Sequence, residues 1–346
     1  MVPRVEAAGF RAIELTQAYA QLDRYPQNTP LGRIACHLTS PAVGEQVRTV
    51  IEAESPDALL IDSMFPAALD AATEYGIPSA VFFHHFLFRL RDEWKATEGR
   101  FYGMREQAGF SPLPPFEDLW QRQDRIIITS PAQFDTPIDP AWTLARHVGP
   151  VLEDEKCAVS IDNPWEDDDR TPLVLVSFST APEQRSLEKF QRSLDALGQM
   201  PVHVIGTTAG IVALDELCVP QNALVVPYAA HDPVLKRASL IITHGGHGTV
   251  MRSLKYGVPM IVMPGLAHDQ APNGRMVQDW GAGIALAGDA HACAIATAAQ
   301  SILSSPSYKD AARRLSSILA ASDGASSAAD EVEMLLDAAA QRVNYV

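Results

Sequence analysis

The 346-residue chain is short of positive charge. Its 27 lysines and arginines face 42 aspartates and glutamates, a formal net charge of −15. A nucleic acid or an anionic membrane surface is therefore not expected as a partner. A small anion is still compatible, because backbone amides hold it locally against the global field. Cysteine is also scarce. Cys36, Cys157, Cys218 and Cys293 are scattered, and no two stand at a C-x-x-C spacing. Neither a zinc site nor a redox pair is expected, and the four read as small apolar core thiols in a reducing compartment. No apolar run reaches membrane-spanning length and no signal peptide opens the chain, so the expected location is cytoplasmic. What is present, 47% hydrophobic and 20% charged residues, is the profile of a soluble globular enzyme. The length predicts two domains.

Short apolar runs alternate with helical patterns along the chain. In the first half, "RAIEL" (11–15), "DALLID" (57–62), "SAVFF" (79–83) and "RIIIT" (125–129) read as strands. "PAVGEQVRTVIEAE" (41–54) and "PAALDAATEYG" (66–76) read as helices, with Pro41 suited to a first turn and Gly76 to a stop. This is the spacing of parallel βαβ units. Residues 86–122 read as aromatic and irregular, "LPPF" (113–116) forbidding a helix there. Residues 151–172 are acidic and non-periodic, and read as a linker. The Asp-x-Asp inside its "EDDD" reads as solvated charge rather than a metal site. Strands resume at 173–178, 202–206, 224–228, 240–243, 260–263 and 284–287, as apolar runs suited to a parallel sheet buried on both faces. The expected division is 1–150, the linker, 173–324, and a final helix in 325–346 with a serine as N-cap, packing back on the first domain.

One stretch carries chemistry: "LIITHGGHGTVMRSLKYGVPMIVMPGLAHDQ", Leu240 to Gln270. A glycine-rich turn joins a strand to a helix N-terminus, where free amides and the positive helix end converge. Glycines there let a phosphate approach the main chain. The stretch lacks G-K-[ST], and Met251 stands at the third glycine of G-x-G-x-x-G, so it is neither a P-loop nor a dinucleotide fingerprint. Asp269 and Gln270, after the next strand, can accept from and donate to sugar hydroxyls. Phosphate cradle plus hydroxyl clamp suggests a nucleotide sugar.

With "SPDALLIDSMFPAALDAATEYGIPSAV", "HVGPV" and "VVPYAAHDPVLKRASLIITHGGHGT…", the sequence resembles family 1 glycosyltransferases, the bacterial natural-product members especially. The resemblance implies an α/β chain of GT-B fold, two Rossmann-like domains facing across a cleft. It implies an inverting, metal-independent transfer of a hexose from a UDP- or TDP-sugar to a hydroxyl of an apolar small molecule. No metal or cofactor is implied, the nucleotide sugar being a co-substrate. Donor-binding roles fall on Thr180, Tyr228 (base stacking), Ala229, His231, His244, Gly245, Gly246, His247, Gly248, Thr249, Asp269 and Gln270. Arg252 stands where many relatives place a ribose-binding glutamate, which leaves UDP and TDP both open. The family's first strand and base histidine have no counterpart here, so the N-terminal domain reads as incomplete and catalysis as impaired. Asp62 matches the aspartate that orients that histidine. His84 and His85 are substitute bases, although an acceptor-pocket or packing role is the simpler reading. Phe83, His84, Phe86 and Trp94 are candidates for the acceptor pocket, with ordinary core packing as the alternative for each aromatic. Two further readings stay open, a non-catalytic nucleotide-sugar-binding auxiliary protein and a nucleotide-sugar epimerase.

Overall fold

Parallel strands build two separate sheets, and the central strands are buried on both faces. A computed structural model describes residues 2–26, 30–152, 165, 169–181 and 184–343. Contacts divide the chain into two units, residues 1–129, 135–147 and 328–346 in one and residues 130–134 and 148–327 in the other.

The first unit holds a four-stranded parallel sheet in the order β1 (Leu59–Asp62), β2 (Ser79–Phe83), β3 (Arg125–Ile128), β4 (Ala145–His147). Its helices are α1 (Val2–Ala7), α2 (Pro30–Thr39), α3 (Pro41–Glu54), α4 (Pro66–Ala72), α5 (Arg91–Gln107) and α6 (Phe116–Gln121). Two expectations need correction. "RAIEL" is not a strand: residues 11–15 are mostly exposed and lead into a 3₁₀ turn at Thr16–Tyr19, because no neighbouring strand pairs with them. Residues 91–107 are not irregular but a 17-residue helix. Its buried positions, Trp94, Thr97, Phe101 and Arg105, keep helical spacing, yet a threonine and an arginine within the stripe hide the period. The three-residue β4 was also not anticipated.

The second unit holds a six-stranded parallel sheet. The strands are β5 (Leu173–Ser177), β6 (His203–Thr207), β7 (Ala223–Val226), β8 (Ala238–Thr243), β9 (Met260–Val262) and β10 (Gly283–Ala285). They lie in the order β10-β9-β8-β5-β6-β7. Helices α7 (Leu187–Leu197), α8 (His231–Leu235), α9 (His247–Lys255), α10 (Gln270–Asp279), α11 (Ala292–Ser304) and α12 (Pro306–Leu319) accompany it. One core, with Val174, Val176, Phe190, Leu194, Leu240, Ile242 and Ile295, joins α7 and α11 to the central strands.

The last helix, α13 (Gly324–Val343), runs through both units. Its N-cap is an aspartate, not the expected serine: Ser326 donates its amide to Asp323 Oδ1 at 3.3 Å and its hydroxyl to Oδ2 at 3.0 Å. Further along, Glu331 accepts from Arg125 at 3.3 Å and lies 3.8 Å from Arg146, both in the first unit. Most of the acidic linker, with Cys157 and the first three residues of "EDDD", lies outside the described residues. Asp169, the last of that run, bonds His203 at 2.6 Å rather than standing free in solvent.

Candidate active site

In the second sheet, β5 and β8 are neighbours, yet the chain leaves β5 toward β6 and leaves β8 toward β9. Such a reversal opens a crevice at the carboxyl ends of the two strands, where ligands of open α/β sheets sit. "SFST" follows β5 there and "HGGHGT" follows β8. Thr180 is exposed at the end of the first segment.

The three glycines of the second segment are bare for three different reasons. Gly245 has φ +86°, and a Cβ on it would lie 2.5 Å from Val262 Cγ1. It is a packing and conformational glycine. A Cβ on Gly246 would lie 2.6 Å from His244 Nε2, so it is the histidine ring that covers this position. Gly248 alone faces open space, with nothing within 4 Å of a Cβ, in the first turn of α9. Gly248 and Thr249 therefore offer helix N-terminal amides where a ligand has room.

Desolvation, with the charge of Lys189 second, lowers the His244 imidazole to about 4. The ring is neutral near pH 7, and its Nδ1 lies 3.4 Å from Thr243 Oγ1. His247 is turned inward at 6% exposure, so its side chain is not at the open face as expected. Arg252 is 8% exposed and donates to Asp232 Oδ1 at 2.6 Å. Its guanidinium serves an internal ion pair with α8. His231, at the start of α8, places Nε2 3.2 Å from Thr207 Oγ1 and 3.4 Å from Ser177 Oγ, at the ends of β6 and β5. Tyr228 is 60% exposed, its hydroxyl 3.1 Å from where a Gly210 Cβ would stand, and Ala229 beside it is half-buried.

The glycine turn and the "GLAHDQ" segment share one sheet edge and are bonded to each other. Asn273 Nδ2 donates to Gly245 O at 2.8 Å and to Asp269 Oδ2 at 3.1 Å. Gln270 accepts the Gly265 amide at 2.6 Å and donates to Gln184 Oε1 at 2.8 Å. Asp269 and Gln270 are each only 2% exposed, so the expected hydroxyl clamp is folded onto protein partners here. Asn273 and Gln184 were missed in the sequence. An asparagine four residues after Asp269 on a helix was the available signal for the first; nothing marked the second.

In the first unit, Asp62 ends β1 and His84 follows β2, its parallel neighbour. His84 Nδ1 lies 2.9 Å from Asp62 Oδ2, and Oδ1 accepts the Met64 amide at 2.8 Å. The His85 ring lies 4.0 Å from that of His84. The segment is pinned from below: fully buried Asp135 accepts the amides of Leu87 and Arg89 at 3.0 and 2.8 Å and lies 3.1 Å from His147 Nε2. Phe83 and Phe86 are 0% exposed and Trp94 2%. Phe83 meets Trp94 and Trp120 edge-on at 5.6 and 4.7 Å, and Trp94 Nε1 donates to Phe86 O at 2.9 Å. These three are core aromatics, which corrects their expected place as pocket lining: the apolar face of β2 needs them to cover it. Among the described residues no group of three or more His, Cys, Asp or Glu is arranged to hold a metal ion. None of their helices is long and apolar enough to cross a membrane.

Residues 191–335 match the family described as erythromycin biosynthesis protein CIII-like, C-terminal domain. UDP-glycosyltransferase 2 of Phaeomoniella chlamydospora is 29% identical over 61% of this chain and 48% of its own length. NDP-glycosyltransferase YjiC of Bacillus licheniformis is 27% identical over 84% of this chain and 75% of its own. CalG4, the calicheamicin glycosyltransferase, superposes with a TM-score of 0.72 at 21% identity, covering 97% of this chain and 88% of that one. The family match lies in the second half of the chain, and both curated relatives and the solved structure are glycosyltransferases. The fold of the chain is GT-B. The chain spans about half the length of the fungal relative and three quarters of the bacillar one.

Proposed function

We propose that this chain is a family 1 glycosyltransferase, inverting and metal-independent. It moves a hexose from a UDP- or TDP-sugar to a hydroxyl of an apolar small molecule. The observation that carries this reading is the β8–α9 turn: open amides at Gly248 and Thr249, on the strand end bonded through Asn273 to Asp269. The diphosphate takes the helix N-terminus, with neutral His244 as a hydrogen-bonding partner. Tyr228 stacks on the base. Asp269 and Gln270 hold the hexose once their internal bonds are exchanged for sugar hydroxyls.

Asp62 does have an imidazole partner, so impaired catalysis does not follow from that residue. A carboxylate at Nδ1 fixes the tautomer in which Nδ1 carries the proton and Nε2 the lone pair. In the proposed step His84 Nε2 takes the acceptor hydroxyl proton as the new C–O bond forms at the anomeric carbon. The bond from that carbon to the diphosphate breaks, and its electron pair leaves with the nucleotide. Asp62 stabilises the imidazolium until the proton passes to solvent.

The test has two arms. Calorimetric titration with UDP-glucose and TDP-glucose reads the donor site, and chromatography of a phenolic acceptor reads transfer. Saturable donor binding with a glycosylated product is expected. Binding without product supports an auxiliary protein, and epimerised free donor supports an epimerase. No binding of either nucleotide sugar sinks the donor-site reading.

A further inference from the structure

A cation lies beneath the same strand ends. Lys189, on α7, is only 6% exposed. Its ammonium donates to Met263 O at 3.0 Å and Pro264 O at 2.8 Å, just past the end of β9. The Phe178 ring, at the end of β5, is 5.5 Å away, and a Cβ on Gly288, past β10, would stand 3.7 Å from Nζ. Lys189 thus reaches from the helix after β5 to the edge that holds the glycine turn. It is close enough to His244 to perturb that ring. No carboxylate pairs with it among the described residues. A buried ammonium with only carbonyls for company is unfavourable unless something offsets its charge.

We propose that Lys189 is the built-in counter-charge for the donor's diphosphate, held under the glycine turn by the Met263 and Pro264 carbonyls. This rests on the donor site proposed above. It adds how such a site neutralises a leaving diphosphate without a divalent cation: a fixed interior charge acts at short range through a low-dielectric layer. The lysine is a positioning residue as well, since its two bonds anchor the start of the segment that leads to Asp269 and Gln270.

The ionisable groups coupled to it are few. Arg192, on the same helix, is always charged, and His244, from β8, is neutral above about pH 5. The neighbours from β5, β9 and β10 named above bring a ring, carbonyls and a glycine. Burial, with Arg192 second, lowers Lys189 to about 8. An arriving diphosphate reverses that shift, so a site that is half-protonated at pH 8 fills on binding.

The experiment is calorimetric titration of the full chain with UDP at pH 8 in two buffers of different ionisation enthalpy. Uptake of roughly half a proton per bound UDP is expected. Lys189→Met is expected to abolish the uptake and weaken UDP about tenfold, while the affinity for uridine, which has no phosphate, stays unchanged. Lys189→Arg is expected to keep the UDP affinity and lose the uptake, since arginine does not titrate. Uptake that persists in both variants, or UDP affinity in Lys189→Met within twofold of wild type, overturns the inference and leaves the donor site standing. Should Lys189→Met not fold, absence of proton uptake by the wild type is enough to overturn it. If the wild type binds neither UDP nor TDP, the donor site falls and this inference with it.

Discussion

Two histidines follow strand ends in the two sheets, and their surroundings make them different groups. His84, after β2, is 43% exposed at its side chain and lies against a carboxylate at 2.9 Å. His244, after β8, is lowered to about 4 by burial, with the neighbouring Lys189 ammonium second. An imidazole beside a carboxylate is equipped to gain a proton; one buried away from water, with an ammonium nearby, is kept from it. The same side chain thus suits base catalysis in one unit and neutral hydrogen bonding in the other. Burial and neighbouring charge decide, not the residue type.

That contrast can be broken most sharply at His84. His84→Ala is expected to lower kcat by about 10²–10³-fold with donor Kd unchanged, read by steady-state transfer beside calorimetry. Asp62→Asn should cost less, about 10–10²-fold, with part of the rate restored in Asp62→Glu. A donor Kd that moves with kcat would show His84 to be structural.

The next largest effect concerns His244 and pH. Its ordinary value of 6.5 is lowered in the folded chain to about 4. As pH falls from 6.5 to 4 the unfolded state takes up a proton that the folded state refuses, so stability drops across that window and levels off below it. His244→Gln should remove up to about 3 kcal/mol of that drop, measured by urea unfolding at pH 7 and pH 4. An equal acid slope in wild type and variant would refute the neutral buried ring.

The glycines sharpen the comparison further. Gly245→Ala, at φ +86° and facing Val262, is expected to cost about 1–3 kcal/mol of stability in thermal unfolding. Gly248→Ala meets nothing within 4 Å, so Tm should hold while UDP affinity falls by about threefold to tenfold as the methyl crowds the ligand. Interchanged outcomes would mean that the open amides are not where the phosphate binds.

Much of the second unit was legible beforehand. Val174 to Ser177, Leu240 to Thr243 and Met260 to Val262 are continuous apolar runs, and strands buried on both faces admit little else. The glycine turn was legible because such residues are costly without cause. The first unit was harder to read. α5 hides its buried stripe behind Thr97 and Arg105, and "RAIEL" has strand composition with no strand to pair with. Which of three adjacent glycines is open to a ligand also escaped prediction, since it depends on where the His244 ring and Val262 lie.

By itself, the sequence determined the alternation of elements, the parallel sheets and the place of the glycine turn, because backbone propensity and hydrophobic period act over a few residues. Only the tertiary structure decided that Asp62 meets His84 across neighbouring strands and that Asn273 ties the turn to Asp269. It alone put Arg252 on Asp232 and, beneath the strand ends, a lysine with no carboxylate partner among the described residues. These are contacts between elements far apart in the chain, and side-chain charge is set by such neighbours rather than by local pattern.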